Sequence, residues 1–180
     1  MFQYCPACAS TKIQFKINKF QCPDCGFIYY HNTAAATGCV IQTGETILLL
    51  VRGTEPAKGK LDLPGGFVDP GEGALEGLCR ELREELGWEP PIPPEKSLAE
   101  VFTLFASFPN TYPYKNILYN TCDLFFTLSV PNLTEKQLRL QAGEIGDLRF
   151  MRPEDINPAD LAFDSTRRAI AAFREFNQLK

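Results

Sequence analysis

Between Gly65 and Trp88 the chain reads GGFVDPGEGALEGLCRELREELGW, and one stripe within it limits what the rest can fold into. At roughly 100° per residue, Leu75, Leu78, Cys79, Leu82 and Leu86 fall on one side of a helix, which must lie against a core. Glu81 and Glu85 are four apart and flank that stripe, with Glu84 further round. Carboxylates gathered this closely repel one another and raise each other's pKa unless a cation sits among them. Oxygen-only ligation suits hard Mg2+ or Mn2+ and not Zn2+. Arg80, one turn before Glu84, is placed to orient it, and Glu72 falls in the first turn, where the helix dipole favours an anion. Just upstream, Leu63-Pro64-Gly65-Gly66 offers carbonyl groups that can turn toward a metal. A solvent-exposed acidic helix laced with ion pairs is the plain alternative for the same residues.

Residues 1–32 carry two Cys-x-x-Cys units, Cys5–Cys8 and Cys22–Cys25, separated by 13 residues of alternating character. Such knuckles at the ends of a short β-hairpin can bring four thiolates round one tetrahedral Zn2+. The segment is too short to fold on apolar burial alone, so a metal staple accounts for both its cysteines and its size. His31 is the only histidine, which argues against a hydrolase built on a histidine base. Seven cysteines, with no basic and apolar leader after Met1, point to a reducing, cytoplasmic setting. The longest strong apolar run, Ile47 to Val51, is far short of the roughly 20 residues of a membrane helix. A net charge of -4 argues against a partner held through a nucleic-acid backbone.

From residue 33 onward the pattern predicts strands over Ala34–Gln42 and Thr46–Arg52, then, beyond the central helix and a proline-rich connector, over Leu98–Phe108 and Ile117–Leu128. Pro109 to Asn116 reads as a turn-rich link, Leu133–Leu140 as a helix, Asp147–Met151 as a strand and Ser165–Phe176 as an amphipathic helix. That order gives an α+β chain, an α/β/α sandwich around a mixed sheet. Arg52 ends a strand beside a Gly/Pro-rich loop, where it can clamp a substrate phosphate or pair with a carboxylate. Phe108, Tyr112 and Tyr114 can stack on a base or simply pack.

Gly66, Glu72, Arg80-Glu81-Leu82, Glu84-Glu85 and Gly87 match G-x5-E-x7-R-E-U-x-E-E-x-G-U, where U is a bulky aliphatic residue, with Trp88 in the last U position. The chain therefore resembles the Nudix hydrolases over residues 33–180. The resemblance implies Mg2+- or Mn2+-dependent cleavage of a nucleoside diphosphate linked to another moiety, with water attacking phosphorus. It implies that Glu81, Glu84 and Glu85 are the metal-ligand and base set, that the Gly65 carbonyl adds a ligand, and that the base is Glu84 or an acid outside the box, Glu144 being best placed. It also implies a tendency to pair subunits as a homodimer. A zinc ribbon (1–32) ahead of such a domain resembles the NADH pyrophosphatases and related ADP-ribose or FAD pyrophosphatases. The NADH enzymes carry S-Q-P-W-P-F-P-x-S downstream of the box, of which residues 106–112 keep little beyond Phe108-Pro109. The implied substrate is a dinucleotide or nucleotide sugar such as ADP-ribose or NADH. A catalytically silent module contacting nucleic acid or protein is the rival, against which the intact acidic set counts, and capped RNA as substrate calls for a more basic surface.

Overall fold

In the computed structural model, which describes residues 2–115 and 117–178, the N-terminal segment is a three-stranded antiparallel sheet. Its strands are β1 (Gln14–Phe15), β2 (Lys19–Gln21) and β3 (Ile28–Tyr30). The expected hairpin thus gains a third strand: Gly26, at φ 76°, reverses the chain after Cys25 and sends Ile28–Tyr30 back along Lys19–Gln21. Phe20 is buried, with the rings of Phe2, Phe15, Phe27 and Tyr29 at 5.1 to 6.0 Å. One phenylalanine with its neighbours is a very small apolar core.

The larger sheet contains β4 (Ala34–Thr43), β5 (Thr46–Arg52), β6 (Leu61–Asp62), β7 (Thr103–Tyr114), β8 (Ile117–Ser129) and β9 (Ile145–Met151). It is mixed: β4 runs parallel to β8 from Ala34–Thr121 to Gln42–Ser129, while β7–β8, β5–β9, β5–β6 and the β4–β5 turn are antiparallel. Helices α1 (Ala74–Leu86) and α3 (Asp164–Gln178) cover opposite faces, and α2 (Leu98–Val101) is a single turn. Strand alternation sorts the core between them. Ile41, Leu48, Leu50 and Phe126 pack with Leu78, Leu82 and Leu86 of α1. Val40, Ile47, Leu49 and Phe125 pack with Ala169, Ile170 and Phe173 of α3. The stripe read from the sequence is thereby seated, its centre fully buried and Leu75 and Cys79 only partly so. No helix among the described residues is long and apolar enough to cross a membrane.

How α1 is anchored decides where the acids go. β4 pairs with β5 only at Gln42 and Thr43, after which β5 departs and the 64–68 segment takes its place along β4. The Cys39 N–H donates to the Pro64 carbonyl (2.9 Å), Thr37 N–H to Gly66 (2.8 Å) and Val68 N–H to Ala35 (3.0 Å). Gly65 makes this approach possible: at φ 137°, a Cβ there would lie 2.2 Å from the Thr37 carbonyl oxygen. The loop that feeds α1 is therefore bonded to the central strand. At the other end Gly87, in the left-handed region at φ 54°, stops the helix and donates its N–H to Arg83 O.

Three expectations change. Pro109 to Tyr114 is not a link, because β7 continues through it; Lys115 does turn, at φ 45°, and Asn116, the last residue of the expected link, lies outside the described residues. Leu98–Val101 is helical and not strand, because Ser97 and Glu100 form a capping box in which the Ser97 N–H and hydroxyl both donate to Glu100 Oε2. The expected helix over Leu133–Leu140 shrinks to a 3-10 turn, Glu135–Gln137, since Leu133 and Leu138 are buried but Leu140 is exposed and no continuous apolar stripe exists.

Candidate functional site

The signature residues fold into one arrangement around Arg80. Its Nε donates to Glu72 Oε1 (2.8 Å) and Nη2 to Glu72 Oε2 (3.0 Å), a bidentate pair. Nη1 donates to Glu81 Oε1 (2.9 Å) and Glu84 Oε2 (3.1 Å), and Nη2 also reaches the Phe67 carbonyl (2.9 Å). Glu72 lies before the helix and not in its first turn; it clamps Arg80, with Asp69 N–H donating to its Oε2. Glu85 turns inward, and its Oε2 accepts from the Gly65 N–H at 2.8 Å. Gly66 has no Cβ because one would stand 2.6 Å from the Glu81 carboxyl.

A cleft of about 340 Å³ opens beside this arrangement. Glu81, Glu85 and Glu144 are among the residues that line it. Burial pushes the Glu85 carboxyl well above its ordinary range, the Gly65 N–H opposing and Glu81, Asp62 and Glu144 adding repulsion. Burial likewise raises Glu81, against the nearby Arg80. Glu144 sits just before β9, its carbonyl accepting from Gly53 N–H at 2.6 Å. Glu84 is largely exposed, paired with Arg80, and does not line the cleft. The acids share a wall without converging: among the described residues, only cysteines bring at least three candidate ligand atoms within 4.8 Å of one another. Their chemistry, all oxygen, with mutual repulsion adding to the burial that raises Glu81 and Glu85, fits a hard divalent cation.

The cleft is also lined by aromatic and polar groups. Arg52 meets a carboxylate, Asp62, at 3.3 Å, donates from Nε to the Pro56 carbonyl (2.8 Å), and places its guanidinium 5.0 Å from the Phe163 ring centre. Burial raises the Asp62 carboxyl, against the pull of Arg52. Tyr112 joins these groups, its hydroxyl accepting from Arg52 Nη2 (3.4 Å) and its ring edge-on to Phe67 at 5.4 Å. Phe108 does not line the cleft; it packs on Phe125 and lies under the Arg168 guanidinium at 4.2 Å. Asp62, Asp123 and Phe163 were not expected here. A charged residue inside an apolar strand, as in Leu61-Asp62-Leu63 and Cys122-Asp123-Leu124, was the available signal, since an acid is not buried without a partner.

In the ribbon, Cys5, Cys8, Cys22 and Cys25 converge, with Sγ atoms 3.7 Å apart in the Cys5–Cys25 and Cys8–Cys22 pairs. A tetrahedron of sulfurs around an ion at about 2.3 Å has edges of about 3.8 Å. Both knuckles use the same bonds: Ala9 N–H to Cys5 O and Cys5 N–H to Ser10 O, then Gly26 N–H to Cys22 O and Cys22 N–H to Phe27 O. Although Cys22 is buried, the backbone N–H groups of Cys25 and Asp24 bring its thiol down to about 7. The four sulfurs are disposed as a metal site.

Residues 32–173 match the family described as NUDIX domain. The chain belongs to the Nudix family. Among Nudix relatives, the ADP-ribose pyrophosphatase of Methanocaldococcus jannaschii is 42% identical over 76 residues, covering 42% of this chain and 43% of that protein. The NAD-capped RNA hydrolase NudC of Deinococcus radiodurans is 26% identical over 172 residues, 93% of this chain and 55% of its own length. The chain thus spans about half the length of these curated relatives. Among solved structures, the Nudix domain of Shewanella oneidensis NrtR complexed with ADP ribose superposes with a TM-score of 0.62 at 21% identity, covering 83% of this chain and 90% of that one. A Nudix hydrolase from Nitrosomonas europaea gives 0.60 at 20%, covering 93% and 87%. Both show a shared fold.

Proposed function

We propose that this Nudix chain hydrolyses the diphosphate linkage of a nucleoside diphosphate joined to another moiety, of the ADP-ribose or NADH kind, releasing two monophosphates. The observation that carries this reading is that a single cleft is lined both by acids fit for a divalent cation and by Arg52, Tyr112 and Phe163, fit for a nucleoside. Glu81, Glu85 and the Gly65 carbonyl would hold Mg2+ or Mn2+, which when bound neutralises phosphate charge and acidifies water. Arg80 holds Glu81 and Glu84 in place, and the Gly65 N–H fixes Glu85. Glu144, lining the cleft from the loop before β9, is the proposed base in preference to Glu84, which Arg80 retains outside. Zn2+ in the ribbon would be structural, and residues 1–32 and 33–180 would fold as two units.

A second reading, NAD-capped RNA as substrate, is favoured by the long alignment with the Deinococcus radiodurans NudC, while the net charge of -4 weighs against extended RNA contact. The test is a Mg2+-dependent hydrolysis panel of ADP-ribose, NADH, FAD and NAD-capped RNA. ADP-ribose or NADH should be cleaved, and Glu85→Gln and Glu144→Gln should each lower kcat by about 10²- to 10⁴-fold. Turnover of none of the four would leave the binding-module reading; an unimpaired Glu144→Gln would return the base to Glu84.

A further inference from the structure

Among the residues that line the cleft, two carry a buried polar atom with no hydrogen-bond partner among the described residues: Asp123 Oδ1 and Thr121 Oγ1. The two residues are 8% and 3% exposed, and both line the cleft. They lie on β8 two residues apart, hence on one face of the sheet, the face that also carries Phe125 toward α3. The rest of Asp123 is firmly held. Its Oδ2 accepts from Ser165 Oγ at 2.6 Å, at the start of α3, and from Asn110 Nδ2 at 3.0 Å. A buried carboxylate oxygen without a donor is costly, and with the other oxygen already bonded to Ser165 and Asn110 this one still lacks a donor beside a cleft that Asp123 lines.

A carboxylate only accepts, so the matching ligand atom must donate, and a hydroxyl beside it both donates and accepts. One acceptor next to one ambivalent group complements a ring edge bearing an amino group adjacent to a bare ring nitrogen. The 6-amino edge of adenine has that pattern, with N6–H toward Asp123 and N1 or N7 toward Thr121. Guanine presents two adjacent donors and would engage both carboxylate oxygens, of which one is already bonded to Ser165 and Asn110. Tyr112 and Phe163, with ring centres 5.5 Å apart, supply aromatic surface for the purine within the same cleft. We infer that Asp123 and Thr121 read the 6-amino edge of an adenine nucleotide, making Asp123 the residue that sets base specificity. This deepens the diphosphatase reading and rests on it for the orientation of the substrate.

The test measures binding separately from turnover. Isothermal titration should show AMP binding at least about tenfold more tightly than IMP, whose O6 would face a carboxylate, with the 6-unsubstituted purine riboside monophosphate between them. In Asp123→Asn the Ser165 and Asn110 bonds can be kept while the inward atom becomes an N–H donor, so the order of AMP and IMP should invert. Thr121→Val should weaken both without changing their order. Equal affinity for AMP and IMP in the wild type, or an Asp123→Asn variant that weakens both alike, would overturn the assignment by reducing Asp123 to a strut for α3. Because the three ligands rank on the wild-type protein alone, a variant that failed to fold would not remove the test. Discrimination without turnover of any diphosphate would sink the hydrolase reading and keep this one, and turnover without discrimination would do the reverse.

Discussion

Arg80 shows how much a single guanidinium can organise: its donors reach Glu72, Glu81, Glu84 and the Phe67 carbonyl, so Glu81 at the cleft, Glu84 beside it and the loop before α1 share one anchor. Glu72 is the fixed end of that anchor. Arg80 and the Asp69 N–H hold its carboxyl below the ordinary value of 4.5, so the stability it contributes is present above 4.5 and lost as pH falls through the lower folded value. Glu72→Gln should therefore lower the thermal midpoint at pH 7, and the gap to wild type should close as pH falls below 4.5, read by calorimetry across pH. A gap that is constant with pH would show that the charge of Glu72 is immaterial. The spacing of the central stretch made Arg80, Glu81, Glu84 and Glu85 legible in advance, because those residues lie within two turns of one helix. Asp62, Asp123 and Phe163 come from strands and a loop far apart in the chain and meet only after β4 and β8 align and α3 docks. Local spacing carries no trace of such a meeting.

At the scale of elements, the two cysteine knuckles superimpose in their bonding but not in their chemistry. Gly26 takes the left-handed position at φ 76°, and its counterpart in the first knuckle is Ala9 at φ 60°. A Cβ in that region costs on the order of 1 kcal/mol. Ala9→Gly should stabilise the ribbon loaded with the proposed zinc by about that amount, seen as a higher chelator concentration needed to withdraw the ion. Equal or easier release would mean that Ala9 is unstrained. The β7 segment shows why turn composition misled: Pro109 and Pro113 oppose Cys122 and Leu118 on an edge strand, where a missing N–H on the open side breaks no ladder bond. The Ser97–Glu100 capping box, by contrast, was present in the sequence as S-x-x-E and is a strong mark of a helix start.

At the scale of the whole molecule, the two sheets draw on different sources of stability. The six-stranded sheet is enclosed by α1 and α3 with two apolar layers, whereas the ribbon has Phe20 and four sulfurs. If the four sulfurs hold zinc as proposed, withdrawing it should melt the ribbon as a separate, earlier transition while the larger sheet keeps its near-ultraviolet dichroism and the proposed Mg2+-supported activity. A single joint transition would show the two units to be one cooperative body. The pairing of β4 with β8 was not readable from the strand pattern, since adjacent strands in sequence are the easy guess and a long parallel match between distant ones follows from the closed packing of both faces. The open rim of that sheet has a consequence for behaviour in concentrated solution. β7 exposes a 12-residue edge with Leu104 and Tyr114 at its surface, the profile of a strand that recruits copies of itself. Pro109 and Pro113 share a strand parity, so an arriving strand finds the donor missing at both places, and growth of a continuous sheet from molecule to molecule is interrupted at its first step.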